Sequence, residues 1–242
     1  MKYSVLIPTL NEERYIGTLL VSLVSQTHND FEVIVVDGNS EDRTEKVVKK
    51  FRDILDIRFF RSKKRGPGIQ RNMAAKHAKY GHLIFFDADV KPERHFLEKL
   101  TKAIKEKKLD AASAWNIPRS RKTLDKIFFA VVNIFVLTFL GKLIPTGVGT
   151  FIYMKKKVFE EIGGFDEEVV FAEDFELLRR LGERKRYKFA VLRDPKIHFS
   201  VRRLDKEGRL RAFLKFARAG LYYIIKGPIK DPNLFIHKFG KH

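Results

Sequence analysis

The sequence predicts an α/β fold of one open, twisted, mostly parallel sheet with helices on both faces. Short runs that are apolar at every position alternate with segments that are apolar at helical spacing through the first hundred residues. Such uninterrupted runs suit parallel strands covered on both sides, and the alternation is that of βα units. The 242 residues are 44% hydrophobic and 33% charged, enough to build a core and to cover it with polar surface. Disordered and collagen-like classes are excluded on the same figures.

The elements follow in order. Ser4 to Ile7 reads as the first strand, and Thr9-x-x-Glu12 as a capping box opening a helix with Ile16, Leu19, Leu20, Leu23 and Val24 on one side. Val33 to Val36 is the second strand, and Asn39 or Ser40 is expected to cap a helix carrying Val47, Val48 and Phe51. Ile57, Phe59 and Phe60 mark the third strand, and Arg65-Gly66-Pro67-Gly68 breaks the chain before another helix. Leu83 to Phe86 make a fourth strand ending in Asp87-Ala88-Asp89, after which Pro92 is expected to open a helix.

The middle and the end differ. In the run from Ile127 to Leu140 only Asn133 and Thr138 are not apolar. As a helix it spans roughly 21 Å at about 1.5 Å per residue, short of a hydrocarbon core of about 30 Å. Its readings are a buried helix, a contact between copies, or an element lying on a membrane, and polar changes at Phe135 and Leu137 are expected to weaken the last. Val148 to Met154 reads as a strand, a short helix ends at Gly163-Gly164, and Glu173-Asp174 opens a helix with Phe175, Leu177, Leu178 and Leu181. Ile197-His198-Phe199-Ser200 is a strand. Leu210, Phe213, Leu214, Ala217, Leu221, Ile224 and Ile225 form a late apolar stripe among Arg209, Arg211, Lys215, Arg218 and Lys226, as in a basic helix lying on an anionic bilayer. The organisation expected is three stretches: 1–110, 111–205 including the apolar segment 127–144, and 206–242 as a basic helix and tail.

Lys and Arg number 49 against 30 Asp and Glu, a formal charge of +19, so nucleotides, nucleic acid and acidic lipids are all attracted. No aromatic-basic RNA signature or recognition helix supports a specific nucleic-acid partner. The absence of Cys removes disulfide scaffolds, thiolate metal sites and thiol catalysis, and any metal must sit on oxygen or imidazole. The apolar stretch after Met1 is too short for a signal peptide, and a cytoplasmic protein peripheral to the inner face of the membrane is expected.

Several strand ends carry groups with chemistry. Asp87 and Asp89 can converge on one hard cation, Mg²⁺ or Mn²⁺, that also takes phosphate oxygens, or can simply cap the next helix. Asp37 can accept hydrogen bonds from a base or ribose, or cap a helix. Arg65 and Arg71 flank a glycine-bearing loop at a helix start, where phosphate is favoured. Glu173 and Asp174 form a first-turn acidic pair that suits the helix dipole. His198 is a third metal ligand or a packing residue, and Arg202 and Arg203 bind phosphate or form solvated surface.

The ordered set resembles the family 2 glycosyltransferases of GT-A fold. It runs through Val5-Leu6-Ile7-Pro8-Thr9-Leu10-Asn11-Glu12, Val35-Val36-Asp37-Gly38-Asn39-Ser40-x-Asp42-x-Thr44, Arg65-Gly66, Arg71-Asn72, Phe86-Asp87-Ala88-Asp89, Gly163-Gly164-Phe165-Asp166-Glu167 and Glu173-Asp174. The resemblance implies inverting transfer from a UDP- or GDP-sugar to a saccharide or lipid-linked acceptor, with a divalent metal. By the same resemblance Pro8, Thr9, Glu12 and Asp37 line the nucleoside pocket, and Arg65 or Arg71 the base or phosphate side. Asp87, Ala88 and Asp89 meet the diphosphate and metal, and Asp174 is the base. Glu173, Arg202 and Arg203 are left to the acceptor or a phosphate. Many relatives carry two adjacent aspartates where this chain has Asp37-Gly38, so the donor nucleotide is open. The alternatives are a sugar-1-phosphate nucleotidyltransferase, whose glycine-rich arginine-lysine loop is missing after the first strand, and a non-enzymatic module binding polyanions or membranes.

Overall fold

A computed structural model describes residues 1–140, 145, 147, 149–231 and 234. Eight strands form one sheet in the order β3-β2-β1-β4-β7-β6-β8-β5. They are β1 (Tyr3–Thr9), β2 (Phe31–Asp37), β3 (Ile57–Arg61), β4 (His82–Phe86), β5 (Val90–Pro92), β6 (Ala111–Arg119), β7 (Phe151–Lys155) and β8 (Phe189–Ser200). The four strands β1 to β4 run parallel, as does the pair β6 and β8, while β7 and β5 run against their neighbours. The sheet is thus continuous across residues 110 and 111.

Because β1 to β4 are covered on both faces, every residue from Tyr3 to Thr9 and from Glu32 to Asp37 is buried. One core packs α1 (Ile16–Val24) and α4 (Phe96–Lys107) on one face, through Leu19, Leu20, Phe96 and Leu100. The other packs α3 (Pro67–His77), α6 (Lys156–Glu161) and α7 (Glu173–Glu183) on the opposite face, through Ala74, Phe159 and Leu178. The remaining helices are α2 (Thr44–Lys49), α5 (Thr123–Val131), α8 (Arg202–Glu207) and α9 (Arg209–Lys226).

Four local expectations give way. Thr9 lies inside β1 and α1 begins only at Ile16, so Thr9 and Glu12 form no capping box. Neither Asn39 nor Ser40 caps α2; Asp42 Oδ1 accepts the Thr44 amide at 2.9 Å, while Asn39 takes a left-handed φ of 64° in the preceding loop. Pro92 closes β5 instead of opening a helix, since β5 pairs with β8 there and α4 starts at Phe96. The strand expected from Val148 begins at Phe151, and Val148 lies outside the described residues.

The apolar run from Ile127 starts in α5 and continues from Val132 to Leu140 as a wider, π-type helix. Its remainder to Ile144 falls mostly outside the described residues. Polar side chains fix its inner side. Asn133 Oδ1 accepts the Asn116 amide at 2.9 Å and its Nδ2 donates to the Asn116 carbonyl at 2.9 Å. Buried Asp125 accepts Arg209 through both oxygens, at 2.6 and 2.9 Å. Leu137 is buried too, so changing it tests folding and not surface attachment. Phe135 has no described side-chain environment.

Candidate active site

The topology brings the functional residues to one edge. Parallel β1, β2 and β4 end together, and β7 enters beside the end of β4, where the Asp87 amide donates to the Thr150 carbonyl at 3.3 Å. β8 ends beside Asp89, the Ser200 amide donating to the Asp89 carbonyl at 3.2 Å, and α8 starts two residues later. Ligands in open α/β sheets bind outside such carboxyl ends.

Two arginines organise the carboxylates. Arg71, buried on α3, donates through Nη1 to Glu173 Oε1 at 2.5 Å and through Nη2 to Asp87 Oδ1 at 2.6 Å. Its guanidinium also lies 5.3 Å from the centre of the Phe165 ring. Arg202 grips buried Glu12 with both Nη atoms, at 2.7 and 2.6 Å, and its Nε stands 2.9 Å from Asp89 Oδ2. Its guanidinium lies 4.0 Å from the centre of the Tyr15 ring, a cation–π contact that fixes the plane of the fork. Residues 190 positions apart in sequence are thereby joined.

Burial pushes the Asp89 carboxyl up to about 6, with Asp87 and Glu12 adding repulsion against the pull of Arg202. Asp87 is raised by burial as well, partly offset by Arg71. Asp174 rises to about 7, through burial first and the neighbouring Glu173 second. It is the second residue of α7, which Glu173 opens directly after Ala172, a non-glycine residue held at φ 60°. Such strain persists where the surroundings fix the backbone. A Cβ at Gly149 would stand 3.2 Å from both Arg71 Nη2 and Asp174 Oδ2, so a side chain there would intrude between the base candidate and the arginine.

Asp37 closes the end of β2. Its Oδ1 accepts the Thr9 hydroxyl at 3.0 Å and the Ser40 hydroxyl at 2.5 Å, and Oδ2 accepts the Ser40 amide at 2.7 Å. Arg65 lies at the rim, donating to the carbonyls of Gly38 and Asn39 at 3.2 Å each and pairing with Glu41. Pro8 and Ala88 are buried at the ends of their segments. Arg203 is exposed, yet its charge is felt by Asp87 and Asp89.

His198 goes elsewhere. It pairs across the sheet with Lys91, and its Nε2 stands 3.4 Å from Glu93 Oε1. Among the described residues no group of three or more His, Asp or Glu is gathered to hold a metal. Asp87 and Asp89 nevertheless fit a hard divalent ion: both are oxygen donors, both are raised by burial, and each spends one oxygen on an arginine.

Three contributors carry no motif in the sequence. Tyr15 supports Arg202, Gly149 leaves room beside Asp174, and buried Gln70 donates to the carbonyls of Thr9 and Val36 at 2.7 and 2.8 Å, tying the ends of β1 and β2 together. A fully polar Gln inside a helix of low amphipathicity was the available signal for the last.

Similar proteins identify the family. The family model described as Glycosyl transferase family 2 matches residues 4–163. The chain belongs to glycosyl transferase family 2. TarS of Staphylococcus aureus strain Mu50, a poly(ribitol-phosphate) beta-N-acetylglucosaminyltransferase, is 42% identical over 93 residues, 37% of this chain and 16% of that protein. Chondroitin synthase of Escherichia coli is 35% identical over 92 residues, 37% and 13% of the two chains. The match therefore spans only about a sixth or less of these relatives. The crystal structure of S. aureus TarS 1–349 with UDP superposes with a TM-score of 0.67 at 28% identity, covering 83% of this chain and 61% of that one. Mannosyltransferase PcManGT from Pyrobaculum calidifontis, solved with GDP-Man and Mn²⁺, gives 0.69 at 20% identity over 97% and 67%, a likeness of fold. The family 2 fold is thus the GT-A type expected from the sequence, and the nucleotidyltransferase alternative has no support.

Proposed function

We propose that the protein is an inverting glycosyltransferase that moves a sugar from a nucleoside-diphosphate sugar to a hydroxyl acceptor, with Asp174 as base. One observation carries this reading: Asp174, a carboxylate raised to about 7, adjoins Glu173, which Arg71 joins to Asp87, the acid directly after β4. A base of that strength is matched to neutral pH. The acceptor oxygen attacks the anomeric carbon as Asp174 takes its proton; the bond from that carbon to the diphosphate breaks, and its electron pair leaves with the nucleoside diphosphate.

Pro8, Thr9, Glu12 and Asp37 form the nucleoside side, with Arg65 at its rim. Asp87 and Asp89 would hold Mg²⁺ or Mn²⁺, which supplies the positive charge that stabilises the departing diphosphate. Arg202 and Arg203 stand on the phosphate side, and Arg71 positions Asp87 against Glu173. TarS, solved with UDP and with UDP-GlcNAc, makes UDP-sugars the first donors to try.

Thermal stabilisation by UDP, GDP and their sugars, with and without Mn²⁺, followed by measurement of nucleotide release with an acceptor, tests the reading. Binding should need the metal, and Asp89→Ala should abolish that need. Unchanged metal dependence in Asp89→Ala removes the metal from this pair of carboxylates.

A further inference from the structure

The late apolar stripe does not face the core. Among the described side chains of α9, Ala212, Ala219 and Tyr223 are buried, while Leu210, Leu214, Leu221 and Ile225 on the opposite side are 71%, 55%, 59% and 66% exposed. A second helix extends that surface. On α5, Asp125 is buried inward, whereas Leu124 and Ile127 are 73% and 56% exposed and Val131 is exposed beside them. The two helices touch along a seam beside both stripes: Phe128 of α5 stacks on Phe213 of α9 with ring centres 3.7 Å apart, and Arg209 is paired with Asp125. The seam joins two outward apolar stripes into one patch, larger than scattered surface leucines produce.

Charge decides what covers it. Arg211 and Arg218, seven residues apart, run along one flank of the α9 stripe, and exposed Lys122 directly precedes α5, in which Lys126 is exposed too. The whole chain carries a formal +19, so two copies meeting through basic-rimmed faces repel each other, whereas an anionic surface is attracted. No described helix is long and apolar enough to cross a membrane. Helices with an outward apolar stripe between arginines and lysines lie in the plane of an interface, apolar side down.

We infer that the paired faces of α5 and α9 form a docking surface for an anionic lipid bilayer, so that the chain acts while lying on it. Gly208 alone separates α9 from α8, whose first residue is Arg202, bound to Glu12 and Asp89. The docked surface is therefore one short helix away from the carboxylate cluster. If the transfer reading above holds, the acceptor is one carried by a lipid and presented at the headgroup level. The docking itself does not depend on that reading.

The full chain is tested by co-sedimentation with phosphatidylcholine vesicles, with or without phosphatidylglycerol, at low and high salt. Binding is expected to anionic vesicles and to weaken with salt. The double variant Leu214→Gln/Leu221→Gln changes exposed residues only, and should lower binding at least tenfold while thermal unfolding and UDP stabilisation stay as in the parent. Val21→Gln, on the exposed side of α1, should change binding less than twofold. The inference fails if the parent stays in the supernatant with anionic vesicles at low salt. Equal binding by the parent and the double variant also defeats it, because the attraction is then charge alone. A dimer in sedimentation velocity that the double variant dissociates, with no vesicle binding, makes the face a contact between copies instead. A chain that binds vesicles yet releases no nucleotide from any sugar donor overturns the transfer reading and leaves the docking surface standing.

Discussion

Helices α1 and α9 carry the same kind of pattern and do opposite things with it. In α1 the apolar positions Ile16, Leu19, Leu20 and Leu23 all lie against the sheet. In α9 the apolar positions Leu210, Leu214, Leu221 and Ile225 face outward, and two alanines and Tyr223 make the inner contact. The cause is topological. α1 is the crossover between parallel β1 and β2 and must cover the strands it connects, but α9 follows the last strand and has no such duty. Periodicity says which side of a helix is apolar; connectivity says what that side meets.

The sharpest break of this comparison is a matched pair of truncations. Leu20→Ala removes a fully buried side chain from α1 and should cost about 2–5 kcal/mol in urea unfolding. Leu221→Ala removes the same atoms from an exposed position and should stay within about 0.5 kcal/mol. Equal losses would mean that α9 is packed by its leucines after all.

Between these extremes stands the strand-end edge, where burial is used against stability. Asp174→Asn keeps the shape of the base and removes its proton acceptor, so turnover should fall by a factor on the order of 10² or more while donor affinity persists. Retained turnover would move the role to another carboxylate, Glu173 first. Parent activity should decline as pH falls through about 7, where Asp174 takes up its proton. The stability effect has the opposite sign. In the folded chain the group stays protonated up to about 7, against 3.8 when unfolded, so its favourable contribution is complete below 3.8 and lost as pH rises through about 7. Asp174→Asn should therefore raise the thermal midpoint above pH 7 relative to the parent, and bring no such gain below pH 3.8. A gain independent of pH would show that the buried charge is not what costs stability.

The parallel strands and their polar ends were readable because β1 to β4 are apolar at consecutive positions and stop abruptly at Thr9, Asp37 and Asp87. β6 was not, since Ala111-Ala112-Ser113-Ala114 has no β-branched residue, and its place is set by pairing with β7 and β8. The carboxylates and the arginines Arg71 and Arg202 were nameable one by one, but which arginine meets which carboxylate was not. Arg71 meets Glu173 across 102 residues and Arg202 meets Glu12 across 190, contacts fixed by sheet order and by no local spacing. The run from Ile127 was legible as apolar and ambiguous in use, because its inner side depends on Asn133 meeting the backbone of Asn116.

The smallest effect is expected at His198, where strand alternation separates neighbours much as the two helices are separated. Ile197 and Phe199 pack into the core beside Val90, and His198 between them takes the other face of β8, opposite Lys91 and near Glu93. A residue directed to Glu93 is not gathered with Asp87 and Asp89. His198→Ala should therefore change the metal dependence of UDP stabilisation less than twofold, in contrast to its loss in Asp89→Ala. Titrating Mn²⁺ against both variants at fixed UDP gives the comparison directly. A weakening in His198→Ala comparable to that in Asp89→Ala would mean that donor binding swings the end of β8 inward and brings the imidazole to the metal.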